Sequence, residues 1–174
     1  TWFRLGDRDL ALHVLRTRLL RAGVPLSRVM QDFGRRLGVR HAVIPMSDAP
    51  VRTRVLADRG ELAFQDYFVR LRCRPRVRGF RFAGIGRARI PPRLEALLAS
   101  PGLRALVVCP SNPYVSVAPI LAVPALRRWL GSRRVPVVAV SPIVGGAALK
   151  GPAAKMMREQ GVEPSALGIA RHYG

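Results

Sequence analysis

The chain has 174 residues, 49% of them hydrophobic, enough to close one core as a single domain spanning residues 1–174. It has no apolar run of the roughly 18 residues that a membrane-crossing helix needs, so the cytoplasm is the expected compartment. A formal charge of +20 ordinarily points to nucleic acid or an anionic membrane, yet only Lys150 and Lys155 among the 30 basic residues are lysines. The arginines run from Arg4 to Arg171 without gathering on one segment. That is the amino-acid usage of a GC-rich coding sequence rather than the footprint of a nucleic-acid reader.

In chain order, Asp7 to Ala22 reads as a helix. Leu12, Leu15, Leu19 and Ala22 share one face, Asp7 stands at the N-cap and Gly23 at the C-terminal stop. Ser27 is placed to cap a second helix that ends near Leu37-Gly38. Val39 to Ile44 reads as a short strand closed by Pro45, and Val51–Ala57 and Glu61–Phe64 flank the hairpin turn Asp58-Arg59-Gly60. Phe64 to Arg72 favours helix over strand, and Val77 to Ala83 is a strand. Pro91-Pro92 introduce a helix over Arg93–Ala99. Leu103–Cys109 and Val135–Val140 are expected as central parallel strands with a Pro124–Leu130 helix between them. Two more helices, Pro152–Gln160 and Ser165–Tyr173, end the chain. The sum is an α/β domain: a three-layer, Rossmann-like parallel sheet with an inserted β-hairpin.

Ligands of open α/β sheets bind beyond the carboxyl ends of the strands. Both expected central strands end in Pro or Ser followed by small residues. Ser111 and Asn112 at the first tip offer hydroxyl, amide and backbone N–H groups to a nucleotide, or else form a simple Asn-Pro turn. Ser116 belongs to the same loop. At the second tip, Ser141 precedes Gly145 and Gly146, which allow close backbone approach to a diphosphate or merely make a turn. The scarce Lys150 and Lys155 are candidate phosphate partners, although a lysine on a helix is equally a solvated charge. Cys73 and Cys109 make no metal or disulfide framework, and Cys109 at the end of an apolar run is expected to be a buried small hydrophobe. His13, His41 and His172 show no ligand spacing. The densest basic patch, Arg70 to Arg89, suits an acidic partner, although the alternation around Phe80 and Phe82 also reads as a half-buried strand.

Several words occur together and in order: Leu5-Gly6-Asp7-Arg8-Asp9, Pro45-Met46-Ser47-Asp48, Phe64-Gln65-Asp66-Tyr67-Phe68, Ser111-Asn112-Pro113, Ser116-Val117-Ala118-Pro119-Ile120, Ser141-Pro142-Ile143-Val144-Gly145-Gly146 and Lys150-Gly151-Pro152-Ala153. In this the chain resembles the 2-phospho-L-lactate transferases, the CofD-type enzymes of coenzyme F-420 biosynthesis. The resemblance implies a Mg²⁺-dependent phosphoryl-ester transfer. A guanosine-diphosphate-linked three-carbon acid, phospholactate or phosphoenolpyruvate, passes its group to the deazaflavin Fo and GMP leaves. It implies nucleotide contacts by Ser111, Asn112, Pro113, Ser116, Ser141, Gly145 and Gly146. Arg4 is implied as the Fo contact, Asp48 as a catalytic or metal-binding carboxylate, and a homodimer as the assembly.

Ala49, Ala118 and Ala154 stand where the family commonly has an acid, a glycine and an aspartate. The family's glycine-rich nucleotide loop and its metal-holding acids are expected upstream of residue 1, and its last helix beyond Tyr173. On that expectation the metal ligands cannot be named here, and this stretch alone is expected to be a poor catalyst. Two alternatives remain: a nucleotide-binding regulator of the same fold and a basic nucleic-acid-binding module, the latter disfavoured by the arginine distribution.

Overall fold

The structure, a computed structural model, describes residues 3–132 and 135–174. Helices α1 (Asp7–Arg21) and α2 (Leu26–Arg36) pack on each other at the start, joined through Gly23 at φ +80°. The expected cap at Asp7 is displaced by one residue. Gly6 is the N-cap and makes no side-chain bond, while Asp7 and Asp9 lie in the first turn, where the helix dipole favours them. Nor does Ser27 cap α2. Pro25 is the N-cap, and the donors at Ser27 are taken instead by Asp48. No residue of α1 is buried, and Leu10 and Val14 on it face outward.

The stretch from Val39 to Ile44 is not a strand, because no described segment pairs with it. The expected hairpin is present as β1 (Arg52–Ala57) and β2 (Gly60–Ala63), with Val55 opposite Leu62. It is larger than an insertion. Strand β3 (Val77–Ala83) pairs with the other edge of β1, giving an antiparallel sheet of order β2-β1-β3. Between β2 and β3 the favoured helix is realised as a π-helical turn, Asp66–Arg70. Gly84, at φ +90°, then turns the chain so tightly that a Cβ there would collide with the Pro50 carbonyl. A short 3₁₀ turn, Ile85–Arg87, leads to α3 (Pro92–Ala99), which starts at Pro91-Pro92 as expected.

The two central strands are parallel and shorter than their apolar runs: β4 (Leu106–Val108) and β5 (Val137–Ala139) pair Val107 with Val138. Between them come α4 (Ala118–Leu121) and α5 (Pro124–Gly131). Beyond β5, strands β6 (Ile143–Val144) and β7 (Ala147–Ala148) form a hairpin. Helices α6 (Ala153–Glu159) and α7 (Ala166–Tyr173) complete the chain, the latter capped by Ser165, whose hydroxyl accepts from the Gly168 N–H at 2.9 Å. The α/β class with a parallel sheet and covering helices is thus realised, with the antiparallel β2-β1-β3 unit as its largest sheet.

One core joins this antiparallel sheet to α6 and α7, through Val55, Tyr67 and Val77 against Met156, Met157 and Ile169. Phe80 of β3 stacks on Tyr114 with ring centroids 5.4 Å apart, which locks the loop after β4 onto the sheet. A smaller core gathers Ala88, Val123 and Leu126 with Val51 and Leu94, holding α3 and α5 together. No helix among the described residues is long and apolar enough to cross a membrane.

Candidate functional site

Among the described residues, strand β4 has a partner on one edge only. Leu106 donates to the Pro136 carbonyl at 2.9 Å and Val108 accepts from Val140 at 3.0 Å, so both point toward β5. By alternation Val107 turns its backbone groups to the other edge, where no described strand lies, and its side chain is 57% exposed. A groove of about 360 Å³ lies between β4, the loop that follows it, and helices α4 and α5. It is walled by Val107, Ile120 and Trp129, and Cys109, Ser111 and Ser116 line it at the carboxyl end of the strand.

The loop at that end is organised by Asn112. Its Oδ1 accepts from the N–H groups of Tyr114 (3.0 Å) and Val115 (3.2 Å), and its backbone carbonyl accepts from Ser116 and Val117, both at 3.1 Å. Its amide nitrogen donates to the Met156 sulfur at 3.2 Å. Four consecutive N–H groups therefore converge on one residue and wind Pro113–Val117 into a π-helical turn. These N–H groups are already satisfied within the loop, so they are not the bare donors for phosphate that the sequence suggested. What the loop contributes to the lining of the groove is Ser111 and Ser116. Pro113 is buried beneath them.

Cys109 is exposed and faces the groove, not buried as its apolar context suggested, because the strand it follows is an edge. Among the described residues, no ionised side chain lines the groove. Such a surface suits the flat, weakly polar face of a nucleoside better than a bare diphosphate.

The remaining residues singled out in the sequence lie elsewhere. At the second tip, the Ser141 hydroxyl donates to the Ile143 carbonyl at 3.0 Å and accepts from the Ile143 N–H at 3.1 Å. Gly145 and Gly146, at φ +57° and +76°, make the two-residue turn of the β6–β7 hairpin, a left-handed geometry that glycine adopts without strain. Asp48 is exposed, and both its carboxylate oxygens accept from Ser27, at 2.6 Å from N–H and 2.9 Å from the hydroxyl. Arg4 is exposed on the extended lead into α1. None of Arg4, Asp48, Ser141, Gly145 or Gly146 lines the groove with Ser111 and Ser116.

Lys150 is exposed, whereas Lys155 is a structural tie. Its ammonium donates to the Pro75 carbonyl at 3.0 Å and to Glu159 at 2.5 Å, while Glu159 accepts from the Val77 N–H at 3.1 Å. Burial raises the Tyr114 phenol above its ordinary range, and its hydroxyl finds no partner among the described residues. His172, edge-on to that ring at 4.8 Å, is held below the usual imidazole range by desolvation.

Residues 2–170 match the family model described as 2-phospho-L-lactate transferase CofD. The chain belongs to the 2-phospho-L-lactate transferase family. Among curated members, the 2-phospho-L-lactate transferase of Methanosarcina mazei is 38% identical over 171 residues, covering 98% of this chain and 55% of that protein. The phosphoenolpyruvate transferase of Streptomyces avermitilis is 42% identical over 177 residues, with 99% and 55% covered. The chain thus spans about half the length of the family members it matches. A crystal structure of a UPF0052-family protein from Bacillus halodurans shares the fold. It superposes with a TM-score of 0.56 at 17% identity over 72% of this chain and 39% of that one.

Of the residues that the family resemblance marked, the fold brings Ser111 and Ser116 together and puts Asn112 beneath them as their organiser. Cys109, Ile120 and Trp129 were missed because nothing in a local sequence shows which described segments pack beside β4.

Proposed function

We propose that this chain carries the donor-nucleotide part of a transferase. The transferase moves a 2-phospholactyl or phosphoenolpyruvyl group from a guanosine-diphosphate-linked acid to the terminal hydroxyl of Fo and releases GMP. The observation that carries the reading is the groove at the carboxyl end of β4, with Ser111 and Ser116 presented by the Asn112-organised loop. In open α/β folds this is where nucleotides sit. The groove, whose described lining is uncharged and partly aromatic, accepts the nucleoside face, and the two serine hydroxyls orient it by hydrogen bonds. Asn112 acts by fixing the loop rather than by touching the base.

The residues described here do not make a divalent-cation site. No three His, Cys, Asp or Glu side chains come together among them, and the Asp48 carboxylate is engaged at α2. We therefore assign no step to a metal, and Asp48 holds a place in the reaction only if substrate displaces Ser27. Arg4 is the proposed Fo contact, since a planar guanidinium stacks on and hydrogen-bonds a flat heterocycle. The segments present in the longer relatives are needed to complete the charge neutralisation that a leaving nucleotide requires.

Calorimetric titration with GDP, and fluorescence titration with Fo, test this. Ser111→Val and Ser116→Val should each weaken GDP by about 1–2 kcal/mol with the fold unchanged. GDP binding that neither substitution alters would remove the groove from the reaction. GDP binding without any Fo binding, in a protein that includes the segments of its longer relatives, would favour a regulator on this fold.

A further inference from the structure

The turn at Arg72-Cys73 has a backbone that sequence alone does not explain. Both residues, neither of them glycine, occupy the left-handed region, at φ +50° and +57°, and they are the only non-glycine residues to do so among those described. Such strain persists only where the surroundings over-determine it, and it concentrates at binding sites. The surroundings here are fully specified. Cys73 donates its N–H to the Tyr67 carbonyl at 2.9 Å, Lys155 holds the Pro75 carbonyl at 3.0 Å, and Asp58 accepts the Arg76 N–H at 3.1 Å while donating its own N–H to the Arg76 carbonyl at 3.0 Å. The last pair clamps the β1–β2 turn to this loop.

Between the two elements lies a cleft of about 520 Å³. Arg59 from the β1–β2 turn and Arg70, Arg72 and Arg74 from the strained loop line it, with Asp58 as the only carboxylate in its lining. Arg70 has a distant partner in Asp66 at 3.9 Å, and no carboxylate of the described residues forms an ion pair with Arg59, Arg72 or Arg74. Elsewhere in the chain arginines do find acids, as Arg81 does with Glu61 and Arg35 with Asp32. Four exposed arginines line one concavity, and their mutual repulsion, though screened by solvent, is relieved when an anion enters it. Guanidinium forks suit phosphate oxygens in pairs. The cleft shares no lining residue with the groove beside β4.

The geometry points to this cleft as a second site, one that binds a small ligand bearing several linked phosphates. Its size favours a small molecule over the open, continuous track that a nucleic-acid backbone needs. The inference stands apart from the proposed transfer reaction and does not require GDP to bind in the β4 groove.

Calorimetry with inorganic tripolyphosphate tests it on the chain as it stands. Arg72→Gln with Arg74→Gln should weaken binding at least about tenfold. Arg127→Gln with Arg128→Gln, which removes the same charge from exposed positions on α5, should leave it within about twofold. Equal losses from both pairs would reduce the effect to net charge and overturn the site. So would wild-type protein that binds no tripolyphosphate. Arg72→Gly separates binding from folding, because glycine accepts the left-handed backbone: its melting temperature should rise while affinity falls. Unchanged affinity in Arg72→Gly also counts against the proposal. A short DNA duplex that binds more tightly than tripolyphosphate, with the same losses in the Arg72/Arg74 variant, would overturn the small-molecule assignment in favour of a nucleic-acid backbone.

Discussion

Asp48 reaches back 21 residues to Ser27 and takes both of its donors, the N–H at 2.6 Å and the hydroxyl at 2.9 Å. A free N–H of the first turn of α2 is thereby satisfied by a carboxylate, which also complements the positive end of the helix dipole. The contact ties the Met46–Ala49 segment to the α1–α2 pair. Asp48→Ala should lower stability by about 1 kcal/mol, as loss of a helix cap does, and Asp48→Asn by less, since one acceptor remains. Thermal melts of the two variants check this. Unchanged melting in Asp48→Ala would free the carboxylate for a role at the reaction centre.

Asn112 should be a stability residue as well as a site residue. Its removal leaves the Tyr114 and Val115 N–H groups without their acceptor in a partly buried loop. Asn112→Ala should cost about 1–3 kcal/mol of stability and weaken GDP binding by loosening Ser111 and Ser116. Asn112→Asp keeps the acceptor and should recover most of the stability. A melt of Asn112→Ala that matches wild type would contradict the loop geometry, whatever the nucleotide does.

Gly84→Ala brings two penalties at one position. The backbone sits at φ +90°, and the added methyl meets the Pro50 carbonyl, which belongs to backbone and cannot swing aside. The expected loss is about 2 kcal/mol or more. Gly23→Ala offers the control, since it shares the positive φ but meets nothing within 4 Å. Urea midpoints should fall further for Gly84→Ala than for Gly23→Ala, and the reverse order would refute the packing argument.

Tyr67 gives the fold an alkaline limit. Burial raises its phenol far above the ordinary 10.0, helped by the negative charge of a Cys73 thiolate and of the nearby Glu159 carboxylate. The folded value exceeds the unfolded one, so this contribution is fully present below about pH 10 and is lost as pH rises beyond it, by up to about 1.4 kcal/mol per pH unit. Tyr114, Tyr173 and Cys73 are raised in the same direction by burial and add to the slope. Tyr67→Phe should therefore lose less stability between pH 9 and pH 11 than wild type does (on the order of 1 kcal/mol less). Parallel slopes in circular-dichroism melts would show that Tyr67 does not set the limit.

Much of this architecture was legible in the residues. Helix spans followed from apolar spacing and from Pro and Gly punctuation: α3 begins at Pro91-Pro92, α7 is capped by Ser165, and the Asp58-Arg59-Gly60 turn joins β1 and β2. The order of the short words was enough to place the family, because most of them stand at a helix start, strand tip or turn whose chemistry is local. Backbone punctuation is a property of a residue and its immediate neighbours, so the sequence by itself determined it.

Partners across space were decided only by the tertiary structure. Val39 to Ile44 has the composition of a strand, but a strand exists only where another chain segment completes its hydrogen bonds, and none of the described segments does. Cys109 has an apolar approach like any buried residue, yet it is exposed because β4 is paired on one edge. Asn112 at a strand tip suits either a ligand contact or an Asn-Pro turn, and the fold engages its amide with two N–H groups and the Met156 sulfur. The same holds for Asp48, whose carboxylate went to Ser27, and for Lys155, which went to Pro75 and Glu159. Polar side chains at strand tips have several satisfying arrangements in sequence terms, and the one adopted is set by which donors and acceptors the packed core carries into reach.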